Sequence, residues 1–427
     1  MLLKGATLVG LDPPHVEPAD LRVEGERIAE RGRDLRGDGE AADLSGCLVL
    51  PGLVNAHTHL YSALARGMPW PSPGPRNFIE ILEQVWWRLD RALDEDAVYH
   101  SALVGAVEAA LSGTTLLIDH HSSPSFIAGS LHTIRRAVEA VGLRSVLCYE
   151  VTDRNGTAGR DAGLDENRAF LAAPPSSLTR GLVGAHASFT LSDDSLGKLA
   201  ELAAATGSSL HVHVAEDRAD VEDCAARHGS SLVERFDRHR LLISRTLFAH
   251  CVHLTPEEVH VAHTKGAWIA HNPRSNMNNA VGYAPTPALR RAALGTDGLD
   301  GDMLAEARAA YLKMREVGRG DALEATLELV AGGHRLGAAL FGLPFGKLDA
   351  GGPADLVVLD YRPPTPLTTA NVGGHLLFGI DRSHVRSVMV AGRWVVRDRD
   401  LVQVDGNAVA AEARIAAAAL WARMARV

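Results

Sequence analysis

Cysteine is scarce in this 427-residue chain: Cys47, Cys148, Cys224 and Cys251 stand far apart and form no C-x-x-C pair. Neither a disulfide framework nor a thiolate zinc site is indicated, and a reducing compartment fits that usage. Long apolar runs are missing as well. No stretch approaches the roughly 18 consecutive apolar residues of a membrane helix. The opening Met1-Leu2-Leu3-Lys4-Gly5 lacks the apolar core of a secretory signal, so a cytoplasmic protein with no membrane partner is expected. Nor is there a lysine and arginine tract. With a formal net charge of −9, the chain lacks the clustered cations whose counterion release drives phosphate-backbone binding. That argues against nucleic acid and for a small-molecule partner. No internal repeat or low-complexity tract is present apart from the Ala-rich stretch 408–422, which predicts a helix.

What the chain does have is histidine. There are twenty, several of them paired where an apolar stretch ends, which points to metal chemistry. At 46% hydrophobic and 22% charged the composition is that of an ordinary globular protein, long enough for one barrel-sized domain and a smaller one. Residues 51–344 alternate short apolar runs with longer helix-like stretches. Eight runs stand near Leu48–Asn55, Thr114–Asp119, Ser145–Val151, Leu182–Ala185, Ser209–Val214, Thr246–Ala249, Ala267–Ala270 and Ala292–Gly295. Eight βα units predict an α/β protein built on a (β/α)₈ TIM barrel. Residues 1–50 and 345–427 instead carry short alternating segments such as Leu21-Arg22-Val23 and Ser387-Val388-Met389-Val390. These are expected to form a small composite β-sandwich domain from both termini.

Helix boundaries are readable in places. Asp94-Glu95-Asp96 places acids at a helix start with Gly113 beyond its end, and Thr255-Pro256-Glu257-Glu258 reads as a capping box with proline in the first turn. Phe78, Leu82, Val85 and Leu89 recur at helical spacing and form one core-facing stripe. Trp87 lies off it, as pocket lining or as an oligomer contact.

The chemistry-bearing residues follow the apolar runs. His57-Thr58-His59 places two imidazoles at i and i+2, on one face of a strand leaving the barrel floor. Alone, such a pair also occurs in ordinary strands. The later run Leu210-His211-Val212-His213-Val214-Ala215-Glu216 offers a second pair followed by a carboxylate. His213 lies nearer the mouth, whereas His211 reads as a hydrogen-bonded core residue. His250 ends the sixth run, and Asp297 follows the eighth in Gly295-Thr296-Asp297-Gly298, where a turn residue is its bland reading. A His, His, His, Asp set leaves a coordination position open for water, the mark of a catalytic metal.

Pro51-Gly52-Leu53-Val54-Asn55-Ala56-His57-Thr58-His59, the His213-x-x-Glu216 step, Ala249-His250, Ser275-Asn276 and Gly295-Thr296-Asp297-Gly298 occur in an order that resembles the amidohydrolase superfamily, in its chlorohydrolase and aminohydrolase branch. The likeness spans nearly the whole chain, including Gly346-Lys347-Leu348-Asp349-Ala350-Gly351 on the return to the small domain. It implies His57, His59, His213 and Asp297 as ligands of one divalent ion, zinc first, with ferrous iron or manganese also suited. It further implies Glu216 as proton shuttle and His250 as the residue that orients the water. Dinuclear relatives carry a bridging lysine after the fourth strand, where this chain reads Gly184-Ala185-His186-Ala187-Ser188, so a single metal is expected.

His186 is then a substrate contact or a structural histidine. His120 and His121 follow the second run, and at most one of them points inward, since strand neighbours alternate. Tyr61, Arg66 and Asn276 are further pocket candidates; Arg66 could equally be a surface ion pair, and Asn276, like Asn279, a turn former. The expected reaction is hydrolysis of a non-peptide C–N bond in a small nitrogen heterocycle, with deamination of a purine- or pyrimidine-like ring ahead of ring opening or dechlorination. A non-catalytic metal-binding barrel is the competing class, and a homo-oligomer, dimer or larger, is expected.

Overall fold

The computed structural model describes residues 1–37, 39–174 and 176–427. Eight parallel strand positions form the barrel: β1 (Leu53–Thr58), β2 (Thr114–His121), β3 (Arg144–Tyr149), β4 (split into Thr179–Gly181 and Val183–Ala187), β5 (Leu210–Val214), β6 (Leu247–His250), β7 (Trp268–His271) and β8 (Ala292–Leu294). Each pairs in parallel with the next, the halves of β4 serving β3 and β5 respectively. Bridges from Val151 to Ala185 and from Thr58 to Asp297 complete the ring. One expected run divides. Leu48–Pro51 pairs with Leu2–Leu11 and Leu356–Leu359 in another sheet, and the barrel begins only at Leu53. Gly52, between the two, donates its N–H to the Asp355 carbonyl.

Alternation sorts each strand into an outer and an inner face. Val54, Leu116, Ile118, Val146, Cys148, Leu247, Trp268 and Ala293 make an apolar interior, against which pack Phe341, the last residue of the helix Ala322–Phe341, and Phe345 beyond it. That helix approaches the strands closely because Gly332 has no side chain; a Cβ there would lie 1.8 Å from the Ala292 carbonyl oxygen.

Strands from both ends of the chain form one nine-stranded sheet with its own core of Leu8, Leu21, Ile28, Val49, Leu356, Val358 and Met389. Arg144 and Asp355, both buried, tie it to the barrel through two hydrogen bonds of 2.6 and 3.0 Å. The C-terminal helix Gly406–Met424 departs from the sheet. Trp421 donates to the Leu64 carbonyl and Arg423 to that of Ala92, which fixes the helix on the barrel. Among the described residues no helix is long and apolar enough to cross a membrane.

Candidate active site

Toward the C-terminal ends of the strands the barrel interior changes from aliphatic to imidazole. His57 lies near the end of β1 and His59 just beyond it, His213 lies near the end of β5, and Asp297 follows β8, placing one potential ligand atom from each within a common 4.8 Å. Outward hydrogen bonds aim the rings. His59 Nδ1 donates to the His120 carbonyl at 2.6 Å and His213 Nδ1 to that of His186 at 2.9 Å, which leaves both Nε2 atoms facing inward, 3.1 Å apart. Asp297 Oδ1 lies 2.9 Å from His59 Nε2 and 3.3 Å from His57 Nε2. His57 Nε2 is buried with no hydrogen-bond partner.

Three inward lone pairs and one carboxylate on a shared point suit a divalent ion in the nitrogen and oxygen coordination typical of open zinc sites. The electrostatics agree. Burial drives His57 down to about 3. Burial would lower His59 too, but the hydrogen bond and charge of Asp297 raise it to about 9, while the same two rings pull Asp297 well below the carboxylate range against its own burial. The carboxylate therefore draws a positive charge into the cluster.

A second group sits beside these ligands. Glu216, His250 and Asp297 also bring acceptor atoms within 4.8 Å of one another. His250 Nδ1 donates to Asn276 Oδ1 at 2.8 Å, so its Nε2 faces Glu216 at 3.5 Å and Asp297 at 4.0 Å. Burial raises Glu216 to about 7, opposed by His250 and reinforced by Asp297. Backbone strain accompanies this geometry: Ala215, His250, Cys251 and Asp297 all have φ between 49° and 71°, each costing of order 1 kcal/mol. Asp220 sustains one of these turns by accepting the Ala215 N–H at 2.9 Å, and the next residue is Glu216.

The cavity above the cluster measures about 700 Å³ with its open mouth and is lined by Tyr61, Trp87, His186 and Phe189, among others. Four expected pocket residues lie elsewhere. Arg66 is drawn to Glu108 in a surface ion pair and lines a neighbouring groove. His121 turns to Ser123 and Tyr149, away from the cavity. Asn276 is spent on His250 and does not line the cavity; Asn279 does, and it donates to Glu216 at 3.3 Å. His120 is the inward member of its pair, yet it sits below the cavity with Nε2 directed at the carbonyls of Ala185 and His211. Asp90, Glu150 and Arg154 were not anticipated as lining residues. For Glu150 a signal existed: it directly follows β3, as His59 directly follows β1, at the C-terminal end of a barrel strand.

An open His₃Asp cluster at the C-terminal mouth of a (β/α)₈ barrel, with a carboxylic acid near neutrality beside it, defines a metal-dependent hydrolase. Comparison with known proteins gives the same class. The profile of the amidohydrolase family matches residues 48–395, and the chain belongs to that family. A 5-methylthioadenosine/S-adenosylhomocysteine deaminase of Moorella thermoacetica is 31% identical over 96% of this chain and 97% of its own. A 5′-deoxyadenosine deaminase of Methanothermobacter thermautotrophicus is 32% identical over 96% of each. In fold the chain resembles a zinc-bound adenosine deaminase of Xanthomonas campestris, with TM-score 0.86, 24% identity and coverage of 100% and 98%. It also resembles the zinc complex of an atrazine chlorohydrolase of Arthrobacter aurescens, with TM-score 0.83, 21% identity and coverage of 97% and 99%.

Proposed function

We propose that a single divalent ion, zinc in preference to ferrous iron or manganese, is held by His57, His59, His213 and Asp297, and that Glu216 and His250 complete a site for hydrolytic deamination of a purine-like ring. The observation that carries this reading is the convergence of Glu216, His250 and Asp297 on the open side of the ligand set. His120, Glu150 and His213 form another potential cluster. His213 has only one free nitrogen, because Nδ1 is committed to the His186 carbonyl. An ion at the first position leaves the second with two ligands, which favours one metal.

When bound, such an ion supplies a lowered pKa for water and stabilises oxygen anions. The chain does the rest. His250, oriented by Asn276, fixes the attacking water through Nε2. Asp297 takes up a proton as the water oxygen bonds to the ring carbon. Glu216 delivers its own proton to the adjacent ring nitrogen, which lowers the cost of attack. Asp297 passes its proton to the amine, which leaves as ammonia, and the hydroxyl proton goes to Glu216 as the carbonyl forms. The deaminase relatives of similar length favour ammonia over chloride as the leaving group.

Ammonia release from aminated purines and their chlorinated counterparts tests the reaction. Glu216→Gln should retain its metal and lose about 10²- to 10⁴-fold in rate, the usual worth of a positioned acid. Chloride release without ammonia release, or a Glu216→Gln variant at full rate, contradicts the reading.

A further inference from the structure

Glu216 carries a proton in the proposed reaction, yet nothing in a glutamate side chain distinguishes its two oxygens, because the terminal torsion is soft and roughly two-fold. The surroundings distinguish them. Among the described residues the Glu216 carboxyl has one hydrogen-bonding partner, Asn279, whose Nδ2 lies 3.3 Å from Oε1. The other oxygen, Oε2, is the one nearest His250 Nε2, at 3.5 Å.

The direction of the Asn279 contact follows from its neighbours. Ser275 Oγ has a single proton and gives it to Asp297 Oδ2, a carboxylate oxygen that can only accept. Toward Asn279, 3.5 Å away, Ser275 is left as an acceptor, so the amide turns its nitrogen to Ser275 and Glu216. Asn278 Nδ2 meets the other end of the amide, Oδ1, at 3.1 Å. Both N–H groups of Asn279 are thus directed at protein atoms. Although Asn279 lines the cavity, it has no proton left for a substrate.

Asn279 belongs to a larger arrangement. It directly follows the short helix Pro273–Asn278, in which Ser275 holds Asp297 and Asn276 accepts from His250 at 2.8 Å. At 3.6 residues per turn, positions 275, 276 and 279 share one face. That face touches all three groups assigned to water placement and proton transfer. The helix is itself fixed: Arg274 donates through Nη2 to the Asp300 carbonyl at 2.7 Å and through its backbone N–H to Glu306 Oε1 at 3.0 Å.

We propose that Asn279 is a positioning residue for Glu216. Its N–H engages Oε1 and reserves that oxygen as an acceptor, which leaves Oε2 to deliver the proton to the ring nitrogen and afterwards to take up the proton of the hydroxyl. This role rests on the deamination reading for the step that Glu216 performs, and on the hydrogen bonds around Asn279 for the orientation of the carboxyl.

Asn279→Leu, of similar size but without a donor, tests the role in zinc-loaded protein by crystal structure and by ammonia release from aminated purines. In the parent, Glu216 Oε1 should meet Asn279; in the variant the carboxyl should turn or spread over several orientations, with His57, His59, His213 and Asp297 in place. The kcat should fall about 10- to 100-fold, the effect of a slightly misplaced reacting group, with KM unchanged. In a Glu216→Ala background, Asn279→Leu should lower the remaining rate no further, because the residue acts only through Glu216. An unmoved carboxyl, an unchanged kcat, or a further loss in the Glu216→Ala background overturns the role. So does a raised KM at constant kcat, which would make Asn279 a substrate contact. Asn279→Ala carries the same expectations if Asn279→Leu does not fold. Should the parent release no ammonia from any aminated purine, deamination fails, and the crystal structures alone decide whether Asn279 holds Glu216.

Discussion

His211 lies one layer beneath the ligands, and its protons run in a single direction. Cys148 S–H donates to the Asp119 carbonyl at 3.5 Å, so Cys148 Sγ, 3.6 Å from His211 Nδ1, accepts from that ring. His211 Nε2 is then left to accept from His57 Nδ1 at 2.9 Å. That bond fixes the His57 tautomer with Nε2 free for the ion, a supporting contact of the kind that usually changes metal affinity about 10- to 100-fold when lost. His211→Phe should accordingly weaken zinc binding by about that factor in a chelator competition, with the fold intact. An unchanged affinity would reduce His211 to packing. The sequence pattern identifies a buried, hydrogen-bonded histidine here, but its partner lies 154 residues earlier and no local spacing reveals it.

At the scale of elements, the strands present their functional side chains through turns that ordinary propensity disfavours. Left-handed residues at Ala215 and Cys251 show no special composition in the sequence. The close seat of the helix Ala322–Phe341 is a clearer case of tertiary structure overriding local preference. Alanine in mid-helix is worth about 1 kcal/mol over glycine, yet at Gly332 its Cβ would press on the Ala292 carbonyl. Overpacking of this kind costs about 1–3 kcal/mol, so Gly332→Ala should lower the urea midpoint; a rise would show that the helix can shift outward. The eight barrel strands were legible from apolar runs because each is buried on both faces. The division at Gly52 was not, since the apolar run continues from Leu48 through Val54 and its two parts differ only in their partners. Arg66 illustrates the same limit among side chains. Its counterion, Glu108, is 42 residues away on a neighbouring helix.

Across the whole molecule, the terminal sheet and the barrel meet around Gly52. His334 Nε2 donates to the Gly52 carbonyl at 2.9 Å, and burial lowers this histidine to about 4 despite that bond. Its folded value lies below the unfolded 6.5, so its contribution to stability is present above pH 6.5 and is lost as the pH falls toward 4. His334→Gln, which keeps a donor for Gly52, should show a shallower fall in urea midpoint over that interval than the parent; parallel slopes would remove His334 from the acid response. The proposed ion would join ligands from β1, β5 and the segment after β8. Ammonia release from aminated purines should be absent after metal removal, rise as zinc is returned, and level off at one equivalent per chain. Full activity in metal-free protein, or a plateau only at two equivalents, would contradict a single-ion deaminase.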